Sequence, residues 1–222
     1  MEEFRVVEKF VSINGEAHKA GMLAAFIRFA GCNLNCSYCD TRWANESKVA
    51  YEIMSEADIY HYVKSTNVRC VTLTGGEPLI QPNIDKLIRL LGQDQELRVE
   101  IETNGAVDIT PFIDIPGDIA FTLDYKSPGS GMCEHMLLDN YEHLRKKDSV
   151  KFVVTDKADL EKACEIIDFC RLNDKVQVYF SSAFAQISPA EIVDFMIKNN
   201  RTREKLQLQL HKYIWDPDRK GV

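Results

Sequence analysis

Three cysteines, Cys32, Cys36 and Cys39, stand close together in the stretch FAGCNLNCSYCDT, residues 29–41. Thiolates select zinc, copper(I) or iron–sulfur clusters. A structural zinc site is closed and four-coordinate, built from CxxC pairs or from CxxC with HxxxH. Here the spacing is CxxxCxxC in one loop, and the next histidine, His61, falls well downstream in a predicted helix. A cubane of four irons held by three thiolates keeps one iron open, as a reactive centre requires. Spacing alone leaves a reactive cluster, a zinc site and chance clustering as readings. The second chemical fragment is GGEP, residues 75–78. Gly75 and Gly76 permit close backbone approach, and Glu77 with nearby carbonyls can accept hydrogen bonds from an ammonium group. Alone, GGEP is also a plain turn leading into NIDKLIRLL.

These fragments must be held by elements readable from periodicity. Predicted strands are residues 5–13, 23–30, 69–74, 97–103, 119–124, 150–155, 175–181 and 205–210, with amphipathic helices between most of them. Ser55 with Asp58, and Ser188 with Pro189 and Glu191, have the form of N-caps. No repeat, composition break or low-complexity segment divides the 222 residues, so one domain, 1–222, is expected. Strand, helix, parallel strand is the pattern of an α/β sheet or barrel, whose ligands gather at the C-terminal ends of strands. NGE follows the first strand, the cysteine loop the second, GGEP the third, TNG the fourth, DYKSP the fifth and HK the last. That one-sided placement predicts a single site.

Composition sets the context. A formal charge of −7 argues against a nucleic-acid surface, and the longest basic run, RKK at 145–147, reads as a solvated helix end. MEEFRVVEKF lacks the marks of a leader, and no stretch reads as a membrane span, so a cytoplasmic location is expected. The odd total of seven cysteines fits reduced thiols rather than a disulfide scaffold, and Cys164 and Cys170 fall in a helical pattern as small buried hydrophobes.

CxxxCxxC with Tyr38 before the third cysteine, followed by GGEP at the next strand end, resembles the radical S-adenosylmethionine superfamily. SINGE, FIRFAGCNLNCSYCDT, TLTGGEPLIQ, ETNG, DYKSP and LQLHKYIW resemble, along nearly the whole chain, the 7-carboxy-7-deazaguanine synthase family. The resemblance implies a partial (β/α)6-type TIM barrel with a mostly parallel sheet. It implies a lyase that contracts 6-carboxy-5,6,7,8-tetrahydropterin to 7-carboxy-7-deazaguanine with loss of ammonia, towards queuosine and related deazapurines. The cofactors implied are a 4Fe-4S cluster, S-adenosylmethionine that is regenerated, and magnesium. The partners implied are flavodoxin or ferredoxin as electron donor and a second copy of the chain in a homodimer.

Residue by residue, the resemblance assigns the cluster to Cys32, Cys36 and Cys39 and magnesium to Thr41. Substrate falls to Glu16 with the backbone of Ile13, Asn14 and Gly15, and to Arg28, Thr74 and His211. S-adenosylmethionine falls to Tyr38, Gly76, Glu77, Glu102, Asn104 and Asp124 through Tyr125, Lys126 and Ser127, with Ser181 and Ser182 as weaker candidates. Each has a plainer reading: Tyr38 a packed aromatic, Arg28 a surface residue on an edge strand, Thr41 and Asn104 turn formers, His211 a core or surface histidine. Asn14 stands where many members have glutamine, and Ala17 replaces a common glycine. In one form of the family's enzyme the chain ends at a proline whose carboxylate reaches the substrate. Here Pro217 is followed by DRKGV, which leaves that polar contact unassigned, with Asp216 and Asp218 as acids able to fill it. Two rivals stand beside this reading: an activase that installs a glycyl radical on another protein, and a non-enzymatic zinc or redox-sensing module.

Overall fold

The computed structural model describes residues 3–222; the first two residues of MEEFRVVEKF, and of the expected domain, lie outside it. Among the described residues nine strands form one open sheet in the order β3-β1-β2-β4-β5-β6-β7-β8-β9. They are β1 (Phe4–Ile13), β2 (Leu23–Phe29), β3 (Glu52–Met54), β4 (Cys70–Gly75), β5 (Arg98–Thr103), β6 (Ile119–Lys126), β7 (Ser149–Val154), β8 (Gln177–Ser182) and β9 (Lys205–Gln207). From β2 through β9 every neighbouring pair is parallel. At the edge β1 runs antiparallel to β2 and to β3, a short strand that the sequence pattern does not reveal.

Period-two alternation explains how the strands are used. One face carries Ile27, Leu73, Val99, Ile101, Phe121, Leu123, Val150, Phe152, Val178 and Phe180, packed in the main core. The same core takes Ile59 and Val63 from α1 (Glu56–Ser65), Leu87, Ile88 and Leu91 from α2 (Ile84–Gln93), Leu160, Ala163 and Ile167 from α4 (Lys157–Phe169), and Ile192 and Phe195 from α6 (Pro189–Lys198). The opposite face is polar: Thr74, Glu102, Thr122, Asp124, Lys126 and Lys151 line a cavity. The helices start where the sequence says. Ser55 with Asp58 and Ser188 with Glu191 close reciprocal capping boxes, each worth about 1 kcal/mol.

Three expectations change. Only the four-residue α3 (Thr110–Ile113) joins β5 to β6, and 3-10 turns alone join β6 to β7, because residues 127–148 hold Pro128, Gly129 and Gly131 and no helical period. RKK is a turn, not a helix end. Arg145 reaches inward, donating from Nε to Asp148 at 3.0 Å and from Nη1 to the Ile113 carbonyl at 2.8 Å. The last strand stops at Gln207, and His211 opens α7 (His211–Ile214) after α5 (Leu172–Lys175) and α6 in the chain.

Candidate active site

The cysteine loop leaves the end of β2 and is fixed by contacts within itself and to distant segments. Ser37 donates from Oγ to the Gly129 carbonyl at 2.7 Å, Arg42 Nη2 to the Cys36 carbonyl at 2.8 Å, and Tyr38 OH to the Val153 carbonyl at 3.3 Å. Cys32, Cys36 and Cys39 are free thiols that line one cavity of about 530 Å³. Burial raises the Cys32 and Cys36 thiols above their ordinary range. The Leu34 N–H at 3.4 Å and the Asn104 amide at 3.6 Å donate to Cys32 Sγ, an arrangement that favours a thiolate. Among the described residues no three His, Cys, Asp or Glu side chains close on a single-ion site; thiolates of a cubane each hold a different iron.

Gly75 and Gly76 line the same cavity, but Glu77 does not. Its side chain is fully buried, and it accepts from the Asn104 N–H at 2.7 Å, the Thr103 hydroxyl at 2.8 Å and the Leu79 N–H at 3.0 Å. Standing just past the end of β4, Glu77 braces its own turn against the end of β5, which corrects the expectation that its side chain meets a cofactor ammonium. Burial pushes its carboxyl up to about 7, against the hydrogen bonds from Asn104, Leu79 and Thr103. The folded state therefore holds the proton more tightly than the unfolded chain. Stability from this group is present at low pH and is lost as pH rises through about 7. Chemical denaturation across pH is expected to show a falling component on the order of 3 kcal/mol between about pH 4.5 and 7. Glu77→Gln should remove it; an undiminished slope in the variant would assign the effect elsewhere.

Beyond the cysteines, Glu102, Asn104, Asp124 and Lys126 face the cavity. Lys126 Nζ lies 2.9 Å from Asp124 Oδ2, and Asp124 Oδ1 is buried without a partner. Burial raises the Glu102 carboxyl, which accepts from the Thr74 hydroxyl at 2.8 Å. An unpartnered acceptor beside free thiols and a bare glycine backbone suits a cationic, hydroxyl-bearing cofactor such as S-adenosylmethionine. Tyr125 and Ser127 do not reach the cavity. Tyr125 sits between two inward residues, so it packs outward in the core, its hydroxyl 3.2 Å from Cys133 Sγ. Ser127 is fully buried with its Oγ unpartnered. Ser181 is buried and bonds Glu16, while Ser182 is not among the lining residues.

Glu16 enters from the other end. Because β1 is antiparallel, its last residue, Ile13, pairs with Leu23 at the start of β2, away from the cysteine loop. The placement of NGE at the common strand end is thus corrected: residues 14–22 form a hairpin loop that plugs the barrel's N-terminal end. Lys19 pairs with Glu100 at 3.1 Å, and the Ala17 N–H donates to Gln207 Oε1 at 2.9 Å. Ile13, Gly15 and Glu16 line the cavity, whereas the Asn14 side chain turns aside to accept from the Thr72 hydroxyl at 2.8 Å. Ala17 has φ +58°, in the region that favours glycine, which accounts for glycine being common there.

Arg28, Thr41, Thr74 and His211 also line the cavity. Arg28 Nε is held by Glu8 at 2.9 Å, which leaves its terminal nitrogens for an anion. Thr41 Oγ1 lies 3.5 Å from the Gly75 carbonyl and 3.7 Å from Cys39 Sγ. Burial lowers His211 from its ordinary range, so it is neutral at pH 7. Residues 217–222 border the cavity, with Lys220 Nζ 3.9 Å from the Trp43 ring centre; of the two acids able to fill the unassigned contact, Asp218 lines the space and Asp216 does not. Sequence reasoning missed Lys151, whose signal is a charge at the inward phase of the otherwise apolar VKFVV.

The description "Radical SAM superfamily" fits residues 26–115. The 7-carboxy-7-deazaguanine synthase of Clostridium acetobutylicum is 53% identical over 219 residues, covering 99% of each chain. This chain belongs to the 7-carboxy-7-deazaguanine synthase family. The Chlorobaculum tepidum synthase is 36% identical over 98% of this chain and 96% of its own. The crystal structure of QueE from Escherichia coli shares the fold, with a TM-score of 0.71 at 21% identity over 93% of both chains. Family membership selects the radical-enzyme reading over the zinc module, and it carries a 4Fe-4S cluster and S-adenosylmethionine as cofactors. No described helix is long and apolar enough to cross a membrane.

Proposed function

We propose that the chain, acting as one domain, converts 6-carboxy-5,6,7,8-tetrahydropterin to 7-carboxy-7-deazaguanine and ammonia. The observation that carries this reading is one cavity lined both by the three free thiols and by Glu16, Arg28 and His211. When bound, the cluster and S-adenosylmethionine supply one-electron chemistry that abstracts a hydrogen atom. Cys32, Cys36 and Cys39 would hold the cluster; Gly76, Glu102, Asn104, Asp124 and Lys126 would hold the sulfonium cofactor. Glu16 accepts two N–H donors from the 2-amino-4-oxo edge, as a carboxylate does from a paired donor edge. Arg28 receives the substrate carboxylate through its free terminal nitrogens. His211, neutral and packed against Gly15, closes the pocket beside that edge. Thr41 would offer a hard oxygen to magnesium, which would supply positive charge near the substrate carboxylate. Thr74 holds Glu102 in place. The family resemblance supports a flavodoxin or ferredoxin donor, a homodimer and a cytoplasmic setting.

The test supplies anaerobically reconstituted enzyme with S-adenosylmethionine, reductant and the tetrahydropterin, with and without magnesium, and measures ammonia and the deazaguanine chromophore. Formation of both is expected, with magnesium stimulating the wild type and Thr41→Val responding far less. A wild-type enzyme that releases no ammonia overturns the reaction; a variant with the same magnesium response overturns the metal assignment.

A further inference from the structure

We infer that Lys151 is a positioning residue: it aims the Glu16 carboxylate at the substrate edge and ties it to Asp124 on the cofactor side. This rests on the reaction proposed above. Lys151 is the third residue of β7 and points into the cavity with its side chain 10% exposed. Its Nζ lies 2.7 Å from Glu16 Oε2 and 3.6 Å from Asp124 Oδ2. Glu16 stands on a hairpin loop rather than in a strand, so its backbone alone does not set its direction. Ser181 Oγ, at 3.3 Å, contacts the other oxygen, Oε1.

A carboxylate offers about four lone-pair positions over its two oxygens. Lys151 takes one on Oε2 and Ser181 takes one on Oε1. The remaining pair, one on each oxygen, matches the two parallel donors of an amino-pyrimidinone edge. The ammonium also supplies a counter-charge to a carboxylate that water scarcely reaches, and a buried charge stripped of its partner is strongly disfavoured. Asp124, meanwhile, shares its Oδ2 between Lys126 and Lys151 and keeps Oδ1 open. One ammonium thus fixes the spacing between the substrate-reading acid on its loop and the cofactor-side acid on β6, segments far apart in sequence.

The experiment compares the wild-type holoenzyme with Lys151→Met, Lys151→Arg, Glu16→Gln and the double variant Glu16→Gln/Lys151→Met. It reads kcat and KM for the tetrahydropterin, equilibrium dialysis of the same compound, and thermal unfolding. Lys151→Met is expected to raise KM and weaken dialysis binding by about tenfold or more, with Lys151→Arg recovering part of the loss. The double variant should bind no worse than Glu16→Gln alone, because Lys151 acts through that carboxylate. A Lys151→Met enzyme within about twofold of wild type in KM, or losses that multiply in the double variant, overturns the inference. Should Lys151→Met not fold, the double variant, which leaves no orphan charge at Glu16, is compared with Glu16→Gln, and weaker binding than that single variant overturns the inference in the same way. A wild type that does not turn over the tetrahydropterin overturns the reaction and this inference together, an outcome distinct from an active wild type with an indifferent lysine.

Discussion

Alanine at any one of Cys32, Cys36 or Cys39 is expected to abolish both iron incorporation and product formation, whereas Cys164→Ala should retain both. The three thiols share one cavity, and the loop bearing them is pinned by Ser37, Tyr38 and Arg42. Two thiolates would leave two irons without protein ligands, and a cubane so held is lost. Cys164 lies in α4, packed against the core, and burial pushes its thiol up to about 11. It does not line the cavity that the three thiols share. Iron content and the broad absorption near about 400 nm decide the matter. Equal iron loss in Cys164→Ala would mean that the wrong cysteines have been assigned.

Gly76→Ala is expected to lower kcat/KM by about a hundredfold or more, with S-adenosylmethionine binding weakened in parallel. A Cβ at this position would lie 1.8 Å from the Gly31 carbonyl oxygen and 2.3 Å from its carbon. Both atoms are backbone, so no side chain can swing aside. Gly31 precedes Cys32, and the Glu77 N–H donates to the Gly31 carbonyl at 2.8 Å. Relieving the clash must separate the GGEP loop from the cysteine loop, the two segments that bring cluster and cofactor together. Dialysis of S-adenosylmethionine and steady-state kinetics check this. A variant within about threefold of wild type in both would show that the loops move independently.

The capping boxes and the outward apolar faces are legible in the sequence because they depend on near neighbours. So is the cysteine loop, where side-chain type and spacing alone restrict the chemistry. Strand phase is equally present in FTLDYK, yet the family resemblance assigns the whole DYKS run to the cofactor, although alternation turns Tyr125 away from the cavity that Asp124 and Lys126 line. Glu77 escapes a sequence reading for another reason: its donors come from Leu79 beside it and from Thr103 and Asn104 at the end of the next strand. No local pattern announces that such a carboxylate is already occupied.

By itself the sequence determined the parts: a thiolate triplet, a glycine pair free of side chains, alternating strands and capped helices, each a property of residues within one turn or one strand. Tertiary structure decided how the parts face one another. The antiparallel entry of β1 sends Glu16 in from the far end of the barrel, where it meets Lys151 after an interval of 135 residues. Which charge pairs with which is a matter of sheet order and register, and those are fixed only when distant strands close on a common core.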